Sequence, residues 1–292
     1  MNWKRVVVVG ILTVLLTIAP MIWNNAGGGG ALADFDKELT RAMGASRDWL
    51  LCKDFAEPSE CRTRIKDVMT NAALLLMVAD CARLSGDREL QAMVDAYVTT
   101  RQESPWLRMV DPKGPFVAPS AEHWRSLLDY QRWFLWAMAP GRIQLVAEER
   151  ADLESPDQMK RGRLTHQLMA WVLYRNMHGS TPQLEARIRH LAERVAGEAV
   201  LDFRITDMYL QRVAFVLYAG HPDLIPSRWV DRVLSGQQAD GGWNWAWYGW
   251  GPRFFHLRIP EDRSSAHPTV QGLWILYMLK YRYPEWTKRN YR

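Results

Sequence analysis

Gln237 to Phe255 reads QQADGGWNWAWYGWGPRFF. Two glutamines, an acid and two glycines lead into tryptophans at positions 243, 245, 247 and 250. Glycines admit backbone shapes closed to other residues, and each indole carries a large apolar surface that must be packed somewhere. Upstream, SRWVDRVLSG (227–236) has an apolar stripe at helical spacing. Downstream, SAHPTVQGLWILYML (265–279) is apolar almost without a break. The stretch therefore joins an amphipathic outer helix to a buried inner one. The connection runs about 20 residues, long for a compact domain and of a length that often carries function.

Working outward, the chain from residue 34 onward is helical in its apolar period, with no convincing series of period-two strands. Glycine and proline punctuate it, as in DPKGPFVAPS (111–120), HGSTP (178–182) and GHPDLIP (220–226). YQRWFLWAM from Tyr130, HQLMAWVLY from His166, LQRVAFVLY from Leu210 and VQGLWILY from Val270 look alike. Each places a glutamine (Gln131, Gln167, Gln211, Gln271) before an apolar run. NAALLLMVADCARLSGD from Asn71 reads as a more diverged member. Repeats of about 35 to 60 residues in a helical chain point to stacked helical hairpins. The repeat helices form the inner layer, and charged segments such as TPQLEARIRHLAERVA (181–196) form the outer one.

QQADGGW resembles the QW motif of squalene-hopene and oxidosqualene cyclases, with Gln237, Gly241 and Trp243 in the motif places. The segment after it also resembles the last zinc-ligand segment of protein prenyltransferase β-subunits. His267 would match the histidine there, although Pro268 separates it from Thr269. The resemblance implies an all-α fold, an α/α toroid or incomplete toroid of helical hairpins. It also implies a structural glutamine that caps a neighbouring helix end, with the tryptophan stacked beside it. It carries neither chemistry. The aspartate-rich motif of the cyclases is missing, no cysteine follows Cys81, and Ser265-Ala266 precede His267. No metal site and no cofactor are expected.

The N-terminus sets the compartment. Lys4 and Arg5 precede an apolar run from Val6 to Trp23, then NNAGGGGALAD. The run is just long enough to cross a bilayer, and the leading charges keep the N-terminus in the cytoplasm. Residues 1–33 are a signal peptide cut after Ala33 or a transmembrane anchor with a glycine tether, with residues 4–23 in contact with the inner membrane. Residues 34–292 form an exported domain on the periplasmic side. The 292 residues are 48% hydrophobic, enough for a sizeable core. The net charge of +5 is spread among acids, so a nucleic-acid partner is not expected. Of the three cysteines, Cys52 and Cys61 flank a loop-like stretch and are the candidate disulfide, with Cys81 a buried thiol.

Function is sought where the inner helices begin. In a ring, the starts at His166, Asp207 and His267 gather around one mouth, and these three would do acid–base work if the protein is an enzyme. Asp129 lies at a similar start, and Arg132 and Arg212 are read as structural pairing groups. Trp245, Trp247, Tyr248, Trp250 and His256 form a candidate ligand or partner surface. The expectation is a membrane-tethered binding or scaffold module, an accessory subunit of an envelope assembly that meets a membrane protein or a glycan or lipid ligand. The alternative is an enzyme acting on a polysaccharide or isoprenoid lipid in the mouth.

Overall fold

The structure is a computed structural model. It describes residue 12 and residues 34–53, 57–155, 163–200, 202, 204–244, 246–249, 256–258 and 263–291. The apolar run at 6–23 lies outside the described residues except for Leu12. Among the described residues, no single helix is long and apolar enough to cross a membrane.

The body is all-α in character. α1 (Phe35–Leu50), α2 (Pro58–Met69), α3 (Ala72–Ser85) and α4 (Arg88–Thr100) come first. The short α5 (Leu107–Val110) and α6 (Ala121–Ser126) lead to α7 (Asp129–Met138) and α8 (Ala147–Glu154). Then follow α9 (Arg163–His178), α10 (Pro182–Val200), α11 (Asp207–Ala219) and α12 (Ser227–Ser235). α13 (Ala266–Tyr277) runs into a π turn (Met278–Arg282), and α14 (Pro284–Asn290) ends the described chain.

The repeat segments are α3, α7, α9, α11 and α13. In α11 and α13 nearly every residue is buried, because these helices meet neighbours on all sides. α10 instead buries Leu184, Ile188, Leu191, Ala192, Val195 and Ala199, one stripe at helical spacing, and turns its charged face outward. The inner helices pack in sequence: α7 on α9, α9 on α11, α11 on α13, and α13 back on α3. α10 covers α9 and α11, α4 covers α3, and α1 lies on α13. The last inner helix is thus seated between the N-terminal helices and α11, which ties the two ends of the chain together.

QQADGGW makes that tie. Gln237 Nε2 donates to the Ala42 carbonyl of α1 at 2.8 Å and to Gly241 O at 2.9 Å. Trp49 of α1 donates through Nε1 to Asp240 Oδ2 at 3.1 Å, and Asp240 Oδ1 accepts from Ser264 Oγ at 2.6 Å. Trp243 donates through Nε1 to Val233 O of α12 at 2.9 Å, and through its backbone N–H to Thr269 Oγ1 of α13 at 2.9 Å. Its ring lies against Gly272, where an added Cβ would sit 2.5 Å from Cε3. The roles differ from the expected ones. Ala42 O is an interior carbonyl of α1, so Gln237 docks on the middle of a helix. Trp243 serves the helix end, because Val233 sits in the last turn of α12, where its carbonyl otherwise accepts from the capping Gly236 N–H at 3.1 Å.

Two further features differ from, or add to, the reading of the sequence. A three-stranded antiparallel sheet joins β1 (Arg204–Thr206), β2 (Ala246–Gly249) and β3 (His256–Arg258). Ile205 pairs with Trp247 and Trp247 with Arg258. The alternation of Trp243, Trp245 and Trp247 is a period-two signal, too short to stand out beside the helical periods. Cys52 and Cys61 form a disulfide at a Cα separation of 5.6 Å, and Cys81 is a buried free thiol whose burial pushes its pKa well up.

Gly241 has φ of 94°, and an added Cβ would meet Ala45 O at 2.4 Å. Gly241→Ala should therefore destabilise the body by about 2 kcal/mol or more, read from urea unfolding followed by circular dichroism. Asp87 caps α4 by accepting from Glu89 N and Leu90 N at 2.9 and 3.2 Å, and it pairs with Arg47 of α1. Burial opposes ionisation of Asp87, but Arg47 and the two amides outweigh it and hold its carboxyl below the usual range. A lowered folded-state pKa adds stability above the unfolded-state value, and that stability is lost as pH falls through the folded-state value. Asp87→Asn should cost about 1–2 kcal/mol at pH 7, with the gap to the parent protein closing below about pH 4 in unfolding curves.

Candidate functional site at the helix starts

Hydrogen bonds show that the inner helices run in the same direction. Thr165 of α9 donates to Gln211 Oε1 of α11 at 2.9 Å, start beside start. At the other ends, Asn176 of α9 donates to Tyr218 Oη of α11 at 2.9 Å, and His178 meets the Ala137 carbonyl of α7 at 2.9 Å. One end of the body therefore collects the first turns, and the other collects the last.

At the first-turn end, His267 of α13 is hydrogen-bonded through Nδ1 to Asp207 Oδ1 of α11. Both side chains are mostly shielded, at 26% and 13% exposure. A carboxylate at Nδ1 holds the ring proton there and puts the basic lone pair on Nε2. This is the orientation a general base needs, and it also pins α11 to α13. Gln271 Nε2 lies 3.3 Å from His267 Nδ1, while Gln271 Oε1 is buried without a hydrogen-bond partner. Asp207, as the first residue of α11, also lies at the positive end of its helix.

The third candidate, His166, is engaged differently. Its ring lies on Tyr130 with centroids 4.0 Å apart, and Phe134 is 5.9 Å away. Nearby carboxylates are already matched: Arg163 binds Asp129 Oδ2 at 2.7 Å and also pairs with Asp152. Arg212 pairs with Asp202 at 2.7 Å and Glu198 at 3.0 Å, and Arg132 pairs with Glu149, so both arginines hold acids other than Asp207 and Asp129.

The aromatic stretch is tied to the same end by its backbone. β1 runs directly into Asp207, and Ala246 of β2 pairs with Thr206. The backbone of Trp247 and Tyr248 thus lies within a few residues of the Asp207–His267 pair. His256 opens β3 and pairs with Gly249. Trp245 and Trp250 lie outside the described residues. Among the described residues, no group of His, Cys, Asp or Glu is placed to hold a metal ion.

Residues that the sequence did not single out complete the picture. Asp240 sits inside QQADGGW and its carboxylate links α1 to the approach to α13. Tyr130 provides the ring under His166. Asp80, the one acid in LLLMVADCARL, accepts from Trp274 Nε1 at 2.8 Å. The four repeat glutamines share a sequence slot and differ in task. Gln131 accepts from Leu128 N, Gln167 donates to Ser155 O beyond the end of α8, Gln211 accepts from Thr165, and Gln271 meets His267.

In a sample with 15N-labelled histidine, the His267 Nδ1 should carry a proton shared with Asp207. Asp207→Asn should abolish that sharing and cost about 2 kcal/mol of stability. A His267 ring in the parent protein with no proton on Nδ1 would contradict the arrangement. The chain was compared with protein-family models, curated proteins and solved structures, and none of them matches it.

Proposed function

We propose that the protein is an exported, membrane-tethered binding or scaffold module of the cell envelope, with an incomplete α/α toroid as its body. The order of packing, α7–α9–α11–α13–α3, with outer helices behind, supports the toroid reading. So does the QW-like clasp that ties α1 to α12 and α13. The observation that carries the binding reading is the pairing of β2 with β1 at the start of α11. It fixes the backbone of an aromatic-rich segment at the first-turn end of the inner helices, and aromatic residue types suit stacking on a glycan, a lipid or a partner helix. The charged groups described there are largely engaged with one another. That suits a preorganised surface better than a proton-transfer centre with two acids on call.

A second reading, an enzyme acting on a polysaccharide or isoprenoid lipid, is favoured by the Asp207–His267 pair alone. In that case His267 acts as the base and Asp207 orients it.

The two readings part in one experiment. Full-length tagged protein is purified in mild detergent from its membrane fraction, and the proteins and lipids that come with it are identified by mass spectrometry. A stoichiometric partner or lipid that is lost on Trp247→Ala and kept on His267→Gln supports the binding module. Recovery of the protein alone, or loss on His267→Gln with Trp247→Ala unchanged, overturns it.

A further inference from the structure

The opposite end of the body holds a second feature, independent of the mouth. The last turns of α3, α9 and α11 and the π turn after α13 line an open surface cavity of about 420 Å³. Arg83, Arg175 and Arg282 line it, with Asn176, Tyr218 and Tyr283. α11 alone spans 13 residues, roughly 20 Å at about 1.5 Å per residue, so this cavity is remote from Asp207 and His267.

Arginines near helix C-termini often serve only to cap terminal carbonyls. Here that task is largely done by the backbone. α3 ends at Gly86 with φ of 73°, α9 is followed by Gly179 with φ of 89°, and α11 by Gly220 with φ of 100°. Gly86, Gly179 and Gly220 each donate an N–H back to the preceding turn. Of the three arginines, Arg175 alone has a hydrogen bond to one of these helix ends, Ala219 O at 2.9 Å.

Arg83 and Arg282 converge instead on one buried carboxylate. Arg282 Nη2 lies 2.8 Å from both Asp80 oxygens, and Arg83 Nη2 binds Oδ1. The Trp274 indole holds Oδ2 from behind at 2.8 Å. Asp80 is thus saturated and acts as an anchor that aims two guanidiniums. The π turn swings Arg282 into this position, with Tyr283 N bonded to Met278 O at 2.9 Å, and such turns recur at functional sites. Arg175 meets a carboxylate only at the rim, Glu185 at 3.4 Å. Three guanidiniums therefore face one buried carboxylate and one peripheral one. The Tyr218 hydroxyl accepts from Asn176, which leaves its own proton to donate.

We infer that this cavity is a binding site for an oxyanion, a phosphate or phosphate-bearing ligand held by Arg83, Arg175 and Arg282 with the Tyr218 hydroxyl. Forked guanidiniums from separate elements match tetrahedral oxyanions well. The cavity admits a phosphate with a small substituent, so the same chemistry fits free phosphate, a phosphorylated small molecule or an anionic lipid headgroup.

The test uses full-length protein in neutral detergent, titrated by calorimetry with inorganic phosphate and then with glycerol phosphate. Its third arm is cosedimentation with vesicles of phosphatidylglycerol in phosphatidylcholine, against phosphatidylcholine alone. Saturable binding in any arm is expected, weakened about tenfold or more by Arg83→Ala and by Arg175→Lys. Neither variant strips Asp80 of Arg282 and Trp274, so melting points should stay near the parent's. Tightest binding in the vesicle arm assigns a headgroup, and in the soluble arms a free phosphate compound. Absence of saturable binding in all three arms, or binding that both variants retain, overturns the site. Either result leaves the mouth reading untouched, since Trp247 and His267 are not involved.

Discussion

A single indole does most to hold this body together. Trp243 is fully buried, and its two N–H groups are spent on two different helices: Nε1 on the end of α12, and the backbone amide on Thr269 in the first turn of α13. Its ring fills the space over Gly272. The preceding residues complete the tie, since Gln237 reaches the middle of α1 and Asp240 receives Trp49 from the same helix. Helices brought together from both ends of a chain must overcome the entropy of closing a very long loop. Burial of large aromatic area together with satisfied polar atoms is what offsets that cost.

From this tie the remaining order follows. With α13 fixed between α1 and α11, the inner helices align in one direction and their ends separate into two chemically distinct faces. The first-turn face carries Asp207, His267 and His166 and receives the aromatic strand. The last-turn face carries arginines gathered around Asp80. Parallel inner helices produce this division because each contributes its start to one face and its finish to the other.

Much of the architecture was legible in the chain. The repeat segments at Tyr130, His166, Leu210 and Val270 are inner helices because unbroken apolar runs have to be covered on every side. The stripe of Leu184, Ile188 and Leu191 marks an outer helix for the opposite reason. Local spacing did not reveal the sheet. β1 and β2 lie some forty residues apart, and a strand of three or four residues has little pattern of its own. The engagement of His166 with Tyr130 was hidden for the same reason, since a ring stacked between two helices depends on how far each is rotated.

The sequence by itself determined the helical class, the inner and outer layers and the place of the clasp, because periodicity, glycine punctuation and buried aromatic residues are local properties. Tertiary structure decided which groups share a site. It paired Asp207 with His267, gave the four repeat glutamines four different tasks, and made Asp80 the anchor for two arginines. Hydrogen-bond partners are chosen by packing across the chain, and no spacing along it records that choice.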